Sequence, residues 1–221
     1  MNYLVTLLIS FLFFSAGAQE TVKVSLAKRL TTCAHQIDFI AEHGILIRLK
    51  TNDLALSAMR KAGNELAAQK LEAKQEQLNQ QILAAFKEQF AFAHVYYFYS
   101  RDLASIKAGD FSKVYTLDNQ PAKYSSRNFF MVDPYSASVS SMNSRSTGFT
   151  LLDSSSKVIT SPMPKPIIKR FGFIYKTFPQ LVFDWNYQFM EMANLSREIK
   201  LGRLKAVGNG ETFLSKEQER D

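Results

Sequence analysis

Two polar triplets are where side chains of this chain could do chemistry together. Thr51-Asn52-Asp53 follows the apolar run GILIRLK, and Ser100-Arg101-Asp102 follows the aromatic run FAHVYYFY. If the runs are parallel neighbouring strands, both triplets emerge at their carboxyl ends, where open α/β sheets place ligand sites. Asp53 and Asp102 would then be a carboxylate pair for acid–base work, and Arg101 would hold an anionic group. Asn52 belongs to the same candidate binding set. The competing reading takes all six residues as helix caps and first-turn acids, which are what helix starts ordinarily carry.

Other chemistry finds no motif. There is no GxSxG, and the serines lie mostly in expected loops with no histidine at a telling distance. The three histidines, His35, His43 and His94, show neither HExxH nor any ligand spacing. Phosphate-cradling GxGxxG and GxxxxGK[ST] loops are absent. A single cysteine, Cys33, excludes an intramolecular disulfide and CxxC redox chemistry, and reads as a half-buried structural residue. No catalytic residue, cofactor or metal is therefore expected; Asn52, Asp53, Arg101 and Asp102 are binding candidates only.

The elements that must position these residues follow from periodicity. In GILIRLK, Ile45, Ile47 and Leu49 alternate with Arg48 and Lys50, which predicts a strand with one well-buried face. Leu54, Ala58, Ala62 and Leu66, then Leu78, Ile82, Phe86 and Phe90, recur at helical spacing. Either Gly63-Asn64 splits this long helix, or its polar middle, KLEAKQEQLNQQ, faces solvent or a partner. His94 to Tyr99 reads as a second strand, parallel to the first. Its aromatics belong to a core covered on both faces rather than to a stacking platform.

Downstream, LASIKA is a short helix stopped by Gly109, and strands are expected at 113–117 and 127–132. SASVSSMNSRSTG reads as a mobile surface loop, GFTLLD-SSS-KVIT as a hairpin and SPMPKP as an extended connector. IIKRFGFIYKT reads as another strand. Thr177-Phe-Pro-Gln180 resembles a capping box opening a final helix with Trp185, Phe189, Met192 and Ile199 on one stripe. That helix is expected to stop at Gly208. The fold class is α/β, with α+β as its neighbour: one domain with a mixed sheet, a long crossover helix and a C-terminal helix. The order of elements is compatible with a thioredoxin-like arrangement lacking CxxC.

Residues 1–18, MNYLVTLLISFLFFSAGA, read as a signal peptide cleaved after Ala18, with an apolar core too short to span a bilayer. Residues 19–208 form the expected mature domain, and 209–221 a flexible charged tail. The net charge of +7 would meet anionic envelope polymers or lipid headgroups rather than nucleic acid in an exported protein. Peripheral membrane association is compatible with it. The expected role is therefore a non-catalytic periplasmic or cell-envelope protein that binds another envelope protein or an anionic surface polymer. The alternative is a small periplasmic hydrolase or ligand-binding enzyme using the Asp53/Asp102 rim. ILIRLKTND, AAFKEQFAFAHVYYFYS and GFTLLD resemble an uncharacterised family of exported proteins from Bacteroidota. The resemblance covers roughly residues 44 to 152; it implies a Gram-negative envelope setting and transfers no functional residue.

Overall fold

A computed structural model describes residues 30–139, 144–159, 167–168, 177–201, 204–206 and 212–214. The expected signal peptide at 1–18 and the Pro-rich connector at 161–166 lie outside those residues. The chain divides into two compact units, one of Phe39–Met190 and one of Met1–Asp38 with Glu191–Asp221. The division falls within the first helix, α1 (30–43), and within the last, α5 (Phe178–Lys200).

The larger unit is built on a mixed sheet, so the α/β class holds. Strand β1 (Ile45–Leu49) pairs in parallel with β2 (Val95–Tyr99) from Ile45↔Val95 to Leu49↔Tyr99. On its other side β1 pairs in parallel with β4 (Phe130–Val139). Three strands run antiparallel to their neighbours: β3 (Tyr115–Thr116), β5 (Ser144–Asp153) and β6 (Ile167–Ile168). The sheet order is β3-β2-β1-β4-β5-β6.

Both faces are covered, which is why β1 and β2 read as near-continuous apolar runs. On one face Leu46, Phe98 and Met131 pack with Ile106, Val114 and Tyr124. The other carries an aromatic cluster in which Phe86, Phe149 and Trp185 meet pairwise at 5.3–6.3 Å between ring centroids. The expectation that FAHVYYFY is mostly interior holds in part: Val95, Tyr97 and Phe98 are buried, Phe92, Ala93, Tyr96 and Tyr99 are half-buried, and His94 is exposed. Gly44, at φ +81°, starts β1 where a Cβ would lie 2.5 Å from the His94 carbonyl oxygen. That close approach lets the Ile45 N–H bond the same carbonyl at 2.9 Å.

The long helix is split. Helix α2 (Asp53–Lys61) ends at Gly63, whose φ of +74° closes it with bonds from Gly63 N–H to Arg60 and from Asn64 N–H to Met59. Helix α3 (Glu65–Gln89) then turns back beside α2, with Arg60 reaching Glu72 at 2.7 Å. A 3-10 turn (Ser100–Asp102) and α4 (Leu103–Lys107) follow β2, and Gly109 ends α4 as expected.

Several expectations need correction. The serine-rich stretch taken as a loop is largely strand: β4 and β5 pair along ten residues each, so 136–139 and 144–148 are ladder. Serine is compatible with a pleated strand when its backbone groups are paired across the ladder, and composition alone does not show that pairing. The strand expected at 113–117 shrinks to two residues. The hairpin turn at 154–156 forms, yet its second arm is a single bridge at Val158. Of IIKRFGFIYKT, Ile167–Ile168 is strand and 169–176 lie outside the described residues; the Thr177 N–H donates to the Gln180 side chain at 2.9 Å as half of the expected capping box.

In the smaller unit Cys33, Ala34 and Ile37 are buried, and the Lys200 ammonium pairs with the Asp38 carboxylate. Helix α5 ends at Lys200, ahead of Gly202 rather than at Gly208. Beyond it β7 (Leu204–Ala206) pairs with β8 (Thr212–Leu214), so three residues expected in a frayed tail are a strand. Their backbone groups are satisfied by a local hairpin, which neither the charge nor the position of that segment reveals.

Candidate functional site

The parallel pairing of β1 with β2 brings the two polar triplets together. Leu49 stands beside Tyr99 in register, so Thr51 and Ser100 leave the sheet as neighbours. The Thr51 N–H donates to Ser100 Oγ at 3.1 Å, and the two hydroxyl oxygens are 3.0 Å apart. Thr51 Oγ1 in turn donates to Asp53 Oδ2 at 2.5 Å. With the only Thr51 hydroxyl proton on Asp53, the Ser100 hydroxyl donates to Thr51.

Helix α3 supplies the facing wall. Its apolar stripe through Ile82 and Phe86 continues toward the amino terminus as Asn79 and Gln75, and those amides close a relay. Asn52 Nδ2 donates to Gln75 Oε1 at 2.8 Å, Gln75 Nε2 to Asn79 Oδ1 at 3.0 Å, and Asn79 Nδ2 to the Lys50 carbonyl at 2.9 Å. Asn79 is buried, and the relay satisfies it and the carbonyl that would otherwise end β1 unpaired. Asn52 holds φ +55°, a left-handed conformation that asparagine tolerates better than most residues.

Between these walls lies a cleft of about 310 Å³. From the strand ends come Lys50, Thr51, Tyr99 and Arg101; from α2, Asp53 and Leu56; from α3, Glu72, Gln75, Glu76 and Asn79. Glu72 is held by Arg60, and Glu76 accepts a hydrogen bond from Gln80 at 2.6 Å. Among the described residues Lys50, Asp53, Glu76 and Arg101 form no ion pair, with each other or with anything else. The Arg101 guanidinium lies 5.3 Å from the centroid of the Tyr99 ring, a cation–π arrangement. Burial raises the Tyr99 hydroxyl above the usual tyrosine range; the Glu76 charge adds to this and Arg101 opposes it. Burial likewise pushes Tyr97, which donates to Asn119 Oδ1 at 2.5 Å, up to about 12.

Of the four residues singled out in the sequence, Asp53 and Arg101 line the cleft. Asn52 stands behind its wall as the first link of the relay. Asp102 is not among the lining residues, so the carboxylates that share the cleft with Asp53 are Glu72, which Arg60 holds, and Glu76. Neither Asn52 nor Asp102 makes a side-chain cap hydrogen bond, although each sits at a helix start. Lys50, Gln75, Glu76, Asn79 and Tyr99 were missed. For Gln75 and Asn79 the signal was a helical stripe that stays in phase with Ile82 and Phe86 while changing from apolar to amide residues.

No histidine or cysteine lines this cleft. Among the described residues no group of three His, Cys, Asp or Glu side chains could hold a metal ion, and no helix is long and apolar enough to cross a membrane. Cys33 is buried, and burial pushes its thiol up to about 11, which disfavours the reactive thiolate at neutral pH. His43 stacks on Phe39 with ring centroids 4.2 Å apart and its Nδ1 lies 3.2 Å from the Phe39 carbonyl oxygen, a packing role. No family model, curated protein or solved structure matches this chain.

Proposed function

We propose that this chain is an exported envelope protein that binds a small polar ligand in the cleft at the carboxyl ends of β1 and β2. The observation that carries the reading is the cleft's set of four charged side chains without ion-pair partners, on walls held by hydrogen bonds. Asp53, Glu76 and Arg101 are exposed and Lys50 is half-buried, so water answers these charges in the free protein and a ligand of matching charge would take its place. Binding is favoured over turnover because the Thr51 and Ser100 hydroxyls are committed to each other and to Asp53, with no imidazole beside them to activate either. Export rests on the character of residues 1–18.

The test is a thermal-shift screen of small polar compounds against the full chain and its Arg101→Gln variant. Ligands that raise the melting temperature of the parent and lose that effect in the variant support the reading. Ligands that stabilise both chains equally would place binding elsewhere and overturn it.

A second reading, binding of another envelope protein, has one observation on its side. Phe183, Tyr187 and Met190 lie on one face of α5 and are 56%, 57% and 49% exposed. Replacing Phe183 and Tyr187 by serine would abolish recovery of a stoichiometric partner and leave ligand binding in the cleft intact. Unchanged recovery would remove this reading.

A further inference from the structure

We infer that the ligand of the strand-end cleft is a small zwitterion with an apolar side group, of the size and chemistry of a free dipeptide. The inference rests on the cleft being a ligand site at all, and it names what that site selects.

Charge balance is the first step. Lys50 and Arg101 bring two positive charges and Asp53 and Glu76 two negative ones, while Glu72 is already paired at 2.7 Å with Arg60, which also meets Glu65 at 3.6 Å. An anion would find partners in Lys50 and Arg101 but would face both carboxylates. A cation would find the carboxylates and face both bases. A molecule carrying one charge of each sign answers both pairs at once, in place of the water that solvates these exposed side chains in the free protein. A bare divalent metal is disfavoured on the same count, and among the described residues no ligating group of three is present.

Shape and surface narrow the class. A volume of about 310 Å³ sits at the lower end of the roughly 300–1,000 Å³ typical of small-molecule sites, which suits a few tens of atoms rather than a polymer. Leu56 and the Tyr99 ring give the cleft an apolar patch, and the guanidinium of Arg101 is already positioned over that ring. Arginine's planar fork suits a carboxylate bidentately, so Arg101 is the expected carboxylate partner, with Lys50 beside it. The ligand's ammonium then belongs with Glu76 and Asp53. The amides of Gln75 and Asn79 are occupied by the relay and serve to hold the wall in place.

Titration calorimetry on the full chain tests this. The probes are free dipeptides carrying one Leu, Tyr or Phe, and the same peptides with the amine acetylated, the carboxylate amidated, or both. Free dipeptides are expected to bind, and each single block to weaken binding at least about tenfold, as loss of one charged contact would. Arg101→Gln should remove the penalty for amidation and leave that for acetylation, and Glu76→Gln should do the reverse. Equal binding of free and blocked peptides, still sensitive to both variants, overturns the zwitterion inference while the cleft stands. So does failure of every dipeptide when another compound binds in an Arg101-dependent way. Binding indifferent to both variants overturns the inference and the cleft together. Circular dichroism of the variants, both changed at side chains outside the core, separates lost binding from lost folding.

Discussion

Thr51 and Ser100, 49 residues apart in the chain, are joined by two contacts, the Thr51 N–H to Ser100 Oγ at 3.1 Å and hydroxyl to hydroxyl at 3.0 Å. This is the seam where the ends of two parallel strands are tied side by side. A strand end leaves backbone groups without a ladder partner, and here the side chain of one strand end supplies it.

Ser100→Ala therefore leaves the Thr51 N–H without its acceptor in a part-buried position. We expect a loss of about 1 kcal/mol, in the range for removing one side of a hydrogen bond. Urea unfolding would measure it. A loss below experimental error would mean that water replaces the serine and that the seam is not structural.

Arg48 on β1 and Asp133 on β4 form a two-point pair, Nη2 to Oδ2 at 2.5 Å and Nε to Oδ1 at 3.2 Å, with side chains only 22% and 19% exposed. Breaking a fully buried pair on one side costs roughly 3–5 kcal/mol, so Arg48→Met at this partial burial should cost about 2 kcal/mol. Arg48→Met combined with Asp133→Leu should cost less than the two single changes added. Strict additivity in a double-mutant cycle would show that the two side chains do not depend on each other.

Gly44 and Gly63 both hold positive φ, but only Gly44 is pressed against backbone, with the His94 carbonyl oxygen 2.5 Å from where a Cβ would sit. Gly63→Ala should cost about 1–2 kcal/mol for the left-handed conformation alone. Gly44→Ala should cost at least twice as much as Gly63→Ala, since β1 would have to move away from His94. The two losses, compared by thermal or urea unfolding, decide whether the close approach is rigid; equal values would show that β1 yields.

Tyr97 gives stability a pH dependence at the alkaline end. Burial raises its hydroxyl to about 12, so the folded state favours the neutral phenol. A raised tyrosine value stabilises the fold fully below the unfolded value of about 10 and loses that stabilisation as pH rises from there through about 12. Tyr97→Phe should flatten the fall in stability across that interval, measured by urea unfolding at successive pH values. An unchanged slope would assign alkaline instability to other groups, of which Tyr99 and Tyr124, both raised chiefly by burial, are the next to test.

What the sequence determined by itself was local and periodic. Alternation in ILIRL, four-residue spacing around Ile82 and Phe86, and the aromatic density of VYYFY follow from which face of each element must be dry, and they led to a strand–helix–strand unit with parallel strands. Gly63-Asn64 stood in the sequence as one of two ways to accommodate the long helix, and the structure decided for the break, with Gly63 at positive φ. The same logic placed Asp53 and Arg101 together, since parallel neighbours must release their chains at one edge. Tertiary structure alone decided the rest. Whether a polar helix face meets water or a cleft depends on the turn that folds α3 back along α2, and so the sharing of one cleft by Asp53, Glu72 and Glu76, without Asp102, is invisible in one dimension. The serine-rich β4–β5 ladder is a further case. Its stability lies in hydrogen bonds between segments, and backbone groups are the same whatever side chains the sequence spells.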